Sequence, residues 1–149
     1  DVPPKRSGIY YLLNNPYNIY SYDYCQKFLN DIVNSIPEKY YLEIEIILKL
    51  KKDYDNIDPN YRVLVESITR NKKIRLITDI SPESIIEVSD ATISIPFTST
   101  AITSYNKNKE TIYYDPSGKL TKNNCLEKNI TLISSQKNLK VWILSILNK

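Results

Sequence analysis

The stretch from Asp90 to Asp115 constrains the fold more than any other part of the chain. Ala91 to Ile95 is β-branched and mostly apolar, which predicts a strand. Pro96 stops that strand. Thr98, Ser99 and Thr100 then put three hydroxyls where a helix should begin, Ala101 to Tyr105 carry the helix on, and Thr111 to Tyr114 predict a second strand. Strand, polar turn, helix, strand is a βαβ unit. Hydroxyls and free backbone N–H groups at a helix N-terminus make a ready site for an anion such as phosphate. Most such caps bind nothing, and on the residues alone a plain cap is the better reading. Neither a Walker loop nor a Gly-rich dinucleotide turn occurs.

The rest of the chain repeats this alternation. Asp1 to Tyr20, with Pro3, Pro4, Gly8 and Pro16, reads as loop. Ser21 caps a helix over Tyr24 to Ile36, whose Phe28, Leu29, Ile32, Val33 and Ile36 fall at spacings of three and four. Cys25 joins that apolar face, and Pro37 ends the helix. Tyr41 to Leu50 alternates with period two and predicts a strand. Asp58-Pro59 opens a helix to about Thr69 that buries Tyr61, Val63, Leu64 and Ile68. Arg70 to Lys73 is a charged turn, and Ile74 to Thr78 a short strand. Ser81-Pro82 caps a further helix with Ile85, Ile86 and Val88 apolar.

Asp115-Pro116-Ser117-Gly118 has the residues a turn demands, and Lys119 to Lys128 is a polar loop that holds Cys125. Ile130 to Ile133 is the last strand. Ser134-Ser135 caps the last helix, where Leu139, Trp142, Ile143, Ile146 and Leu147 form an apolar face. Parallel crossovers need helices, so the pattern predicts an α/β fold, a Rossmann-like three-layer α/β/α domain with a mostly parallel sheet. Its strands end at Lys5-Arg6, Lys49, Asp79, Pro96 and Asp115, all on the carboxyl edge where ligands bind in open α/β sheets.

Composition removes several function classes. A length of 149 residues makes one domain with a single core. The net charge of +3 is small and spread out, which argues against nucleic acid. There is no His, and the two Cys are far apart without a CxxC, so a zinc site is not expected and free thiols in a reducing cytosol are. No apolar run reaches about 18 residues, so no transmembrane helix is expected, and no signal peptide is visible. Heavy use of Asn, Ile, Lys and Tyr reflects coding bias and carries no function. Glu43 and Glu45 read as exposed residues of a strand rather than as a catalytic pair. The absence of Met and the opening Asp1-Val2-Pro3-Pro4 suggest a fragment of a larger two-domain protein.

Ser94-Ile95-Pro96-Phe97-Thr98-Ser99-Thr100-Ala101, followed by Ile112-Tyr113-Tyr114-Asp115-Pro116-Ser117-Gly118, resembles the bacterial polysaccharide-biosynthesis proteins named for a Pro-Phe-Thr-Ser motif. Those proteins are similar to the C-terminal, donor-binding half of GT-B glycosyltransferases. The resemblance implies transfer of a sugar from a nucleotide-sugar donor to a growing surface glycan. It places the donor's phosphate at Phe97, Thr98, Ser99 and Thr100, with Lys5, Arg6 and Lys49 adding positive charge and Tyr114 or Asp115 contacting ribose or sugar. It implies no metal and no cofactor beyond the donor itself. The catalytic base would lie on a missing N-terminal domain of the same protein, and no residue of this chain is singled out for it. The setting would be the cytoplasm, with at most peripheral association at the inner face of the membrane.

Related proteins carry a Pro between the lysines where this chain has Leu50, which weakens the assignment to Lys49. The rival reading is a non-catalytic Rossmann-like scaffold of a polysaccharide assembly system. A flavodoxin-like or response-regulator domain needs an acidic cluster after its first strand, where this chain has Lys5-Arg6.

Overall fold

The computed structural model describes residues 19, 21–50, 57–71, 74–96, 98–124 and 129–149. Five helices alternate with five strands: α1 (Tyr22–Ser35), β1 (Ile46–Lys49), α2 (Pro59–Asn71), β2 (Ile74–Ile77), α3 (Pro82–Val88), β3 (Ala91–Ser94), α4 (Ser99–Asn106), β4 (Glu110–Tyr114), β5 (Thr131–Ile133) and α5 (Gln136–Leu147). Short 3-10 turns cover Glu38–Leu42 and Lys122–Asn124.

All strand pairing among the described residues is parallel. β1 pairs with β2, Ile46 opposite Ile74. β4 lies between β3 and β5, with Ser94 opposite Tyr113 and Tyr114 opposite Ile133. The predicted first strand, ahead of Lys5, lies outside the described residues.

Helix boundaries follow local chemistry. Ser21, Ser81 and Ser135 each accept the N–H three residues on, from Tyr24, Ser84 and Asn138, which satisfies one orphan donor of the first turn. Asp58 does the same for α2 through Asn60 and Tyr61, with Pro59 at the first helical position. α1 ends where Ile36 turns extended ahead of Pro37.

Among the described residues the strands form two short parallel sheets, β1–β2 and β3–β4–β5, and with their flanking helices they make a Rossmann-like α/β/α fold. α1 packs against α2 and α5, and α3 packs against α4. Side chains alternate along β4: Ile112 and Tyr114 join the large core with Phe28, Ile32, Leu48, Tyr61, Val65, Leu139 and Ile143. Tyr113 points to the opposite face, against Ala101 and Ile130. Ser104, fully buried on α4, donates to Thr92 at 2.8 Å and accepts from Thr111 at 2.8 Å, tying that helix to β3 and β4. Among the described residues no helix is long and apolar enough to cross a membrane.

Two sequence expectations are corrected. The strand predicted over Tyr41 to Leu50 is only Ile46–Lys49. Its first half is drawn into the 3-10 turn, because the Tyr40 carbonyl accepts from Glu43 and Ile44 and the Tyr41 hydroxyl donates to the Val33 carbonyl at 2.7 Å. Val63 is 66% exposed rather than buried, and Val65 fills the core in its place.

Burial sets an alkaline limit on this core. Burial pushes the Cys25 thiol up to about 12 from its ordinary 9.0. It raises the Tyr24, Tyr61 and Tyr114 hydroxyls as well. The unfolded chain releases these protons from about pH 9 upward while the folded chain keeps them, so stability is complete below that pH and falls as pH rises toward 12. The urea midpoint should be clearly lower at about pH 11 than at about pH 8. Equal midpoints would mean that these groups do not hold their protons in the fold.

Candidate phosphate site at the N-terminus of α4

β3 delivers the chain to this edge through buried Ser94, Ile95 and Pro96. Thr98 occupies the cap position of α4 but does not cap it. Its hydroxyl, 9% exposed, donates to the Ile95 carbonyl at 2.7 Å and so braces the turn instead. Among the described residues every other helix has a side-chain acceptor at its start, while the first-turn N–H groups of α4 receive none from its cap. Ser99 is exposed and Thr100 half-buried, so the hydroxyls that flank these donors face outward or partly so. An uncapped helix start carries the positive end of the helix dipole together with unsatisfied donors.

β4 runs parallel beside β3 with Ser94 opposite Tyr113, so the two strands end on the same edge. Asp115 organises the turn after β4 from inside. The carboxylate is fully buried; one oxygen accepts from the Ser117 amide at 3.0 Å and the Ser117 hydroxyl at 2.7 Å, the other from the Leu120 amide at 2.9 Å. Gly118 adopts a φ of +69°, a conformation that L side chains rarely take. Lys119 and Lys122 are exposed on this segment, so its outward charge is positive while its acid is turned inward.

Tyr114 also faces the interior. Its hydroxyl donates to Asp31 of α1 at 2.6 Å, and Lys27 pairs with the same carboxylate oxygen at 2.5 Å. Burial and the Asp31 carboxylate together raise the Tyr114 hydroxyl. Sequence reading missed Asp31. The available signal was its register: seven residues after Tyr24 and three after Phe28, it falls on the buried stripe of α1.

Of the remaining predicted site residues, Lys49 closes the carboxyl ends of β1 and β2. Its ammonium donates to the Thr78 carbonyl at 2.9 Å and to the Leu50 carbonyl. Lys5, Arg6 and Phe97 lie outside the described residues. The side chains of Tyr114 and Asp115 thus have partners within the chain.

A shallow groove of about 550 Å³ lies at the other end of the strands, lined by Leu42, Glu43, Ile44, Glu45, Ile74 and Arg75. Arg75 pairs with Glu45 at 3.0 Å across β1 and β2. Ligands of open α/β sheets bind at the carboxyl ends of the strands, so this groove is given no ligand. Among the described residues no group of acidic or thiol side chains could hold a metal ion.

The model of the polysaccharide biosynthesis PFTS motif proteins matches residues 1–143. No curated protein and no solved structure matches the chain.

Proposed function

The chain belongs to the polysaccharide biosynthesis PFTS motif family, and from that premise we propose that it binds an activated sugar as the donor domain of a glycosyltransferase. The observation that carries this reading is the start of α4. The family's namesake residues sit there, and their cap hydroxyl is spent on the Ile95 carbonyl, which leaves the helix N–H groups open to an outside acceptor. A donor phosphate supplies that acceptor, and the exposed Ser99 hydroxyl and half-buried Thr100 hydroxyl reach it from the same turn. Exposed Lys119 and Lys122 on the adjoining segment add favourable charge.

In the transfer step, charge builds on the departing phosphate, and a fixed helix start with nearby cations stabilises it without reorganisation. The group that deprotonates the acceptor comes from another domain. The reaction belongs in the cytoplasm, at or near the membrane that carries the glycan.

A second reading, a non-catalytic scaffold, is favoured by Lys49. Its ammonium is engaged with the Leu50 and Thr78 carbonyls, a structural use of the one described cation predicted to meet the donor.

A thermal-shift screen against CMP, UDP, GDP and their sugar conjugates separates the two. Ligand at about a hundred times its dissociation constant should stabilise the domain by roughly 2.7 kcal/mol, a rise of several degrees. A rise with one base supports the donor reading and names the nucleotide. No rise with any of them, repeated with the full-length protein, favours the scaffold.

A further inference from the structure

The polar side chains buried beneath β4 are not used by the phosphate reading. Phe28 and Asp31, three residues apart on α1, meet the end of β4. Asp31 accepts from the Tyr114 hydroxyl at 2.6 Å. Phe28 packs against the same ring, 5.8 Å between centroids. α1 thus holds Tyr114, the last residue of β4, through two different side chains. The next residue, Asp115, is the one whose carboxylate holds Ser117 and Leu120.

A buried acid on a helix costs desolvation unless it is fully partnered. A hydrophobic residue at position 31 would have covered Tyr114 more simply. What the polar arrangement adds is direction: a hydrogen bond fixes position and angle, whereas apolar packing tolerates sliding.

We propose that α1 positions the ligand edge, with Asp31 acting through Tyr114 as the positioning residue that sets where β4 delivers the Asp115–Leu120 turn beside the start of α4. For what that turn meets, the inference rests on the phosphate reading above. For the coupling from α1 to the turn, it stands on the contacts alone.

Amide hydrogen exchange on the nucleotide-free protein tests the coupling. Tyr114→Phe removes the hydroxyl and keeps the ring. In this variant the Ser117 and Leu120 amides should exchange about tenfold faster or more, while amides of β3 and α5 keep their parent rates. These amides bond to Asp115 and not to Tyr114, so a purely local function of the hydroxyl would leave them unmoved. Unchanged rates at Ser117 and Leu120, or a uniform rise across every strand, would overturn the proposal. Nucleotide affinity gives the second measurement. For whichever nucleotide the parent protein binds, Tyr114→Phe should bind about tenfold more weakly at an unchanged fold, and equal affinity would overturn the positioning of the ligand edge. If the parent binds none, the donor reading fails while the exchange result still decides the coupling.

Discussion

Asp115→Ala should melt about 10 °C below the parent protein. The substitution removes the acceptor of the Ser117 amide, the Ser117 hydroxyl and the Leu120 amide at once. It also leaves a small void where the buried carboxylate was. Asp115 is fully buried and Leu120 only 5% exposed, so water does not readily replace the lost acceptor. A stranded buried donor costs about 1–3 kcal/mol, which sums here to roughly 3–4 kcal/mol, and each kcal/mol is worth about 2–4 °C in a domain of this size. Asp115→Asn keeps one oxygen and turns an NH2 group toward donors, so its loss should fall between parent and Ala. A fall of under about 2 °C for Asp115→Ala would show that the carboxylate does not hold the turn.

Ser99→Asp should change stability and binding in opposite directions. Ser99 is the first residue of α4, and Thr98 supplies no side-chain cap. A carboxylate in the first turn of a helix interacts favourably with its dipole, by about 0.3–1 kcal/mol, so the variant should melt slightly higher than the parent. The same charge would sit where the donor phosphate is proposed to bind. Two unit charges about 6 Å apart repel by roughly 2–3 kcal/mol at an effective dielectric near 20, about a hundredfold in affinity. Ser99→Ala, which only deletes a hydroxyl, should cost about tenfold. Calorimetric titration with the nucleotide found in the thermal screen reads both variants. A scaffold would show the rise in melting temperature and nothing else. Affinity unchanged in Ser99→Asp would sink the phosphate site.

The alternation of strand and helix was legible because local signals coincide with it. Ser21, Ser81 and Ser135 cap the helices predicted to start after them, and Pro37, Pro59, Pro82 and Pro96 mark boundaries. These are effects of nearest neighbours in sequence, and they need no tertiary partner. The misreadings share one cause, apolar residues counted without their angle around the helix or their reach to distant groups. Val63 lies two residues from Tyr61, about 200° around α2, and so faces solvent. Leu42, read as part of a strand, is 81% exposed, because Tyr40 and Tyr41 bond to Asn148 and Val33 and hold that segment as a turn.

The start of α4 was legible as well. Pro-Phe-Thr-Ser after a strand identified a helix start with surplus hydroxyls, and the helix begins at Ser99 as the pattern demands. It could not show that Thr98 would spend its hydroxyl on Ile95, since that bond depends on how the turn closes.

The sequence by itself determined the order of elements, their caps and the surplus of hydroxyls at one helix start, because each of these is decided within a few residues of chain. Only the tertiary structure decided which polar groups turn inward. Tyr114 and Asp31 are 83 positions apart, and each gains a buried hydrogen-bond partner in the other. Burial makes an unpartnered carboxylate prohibitive and a partnered one acceptable, so the inward or outward fate of Asp31, Tyr114 and Asp115 was fixed by which elements packed together.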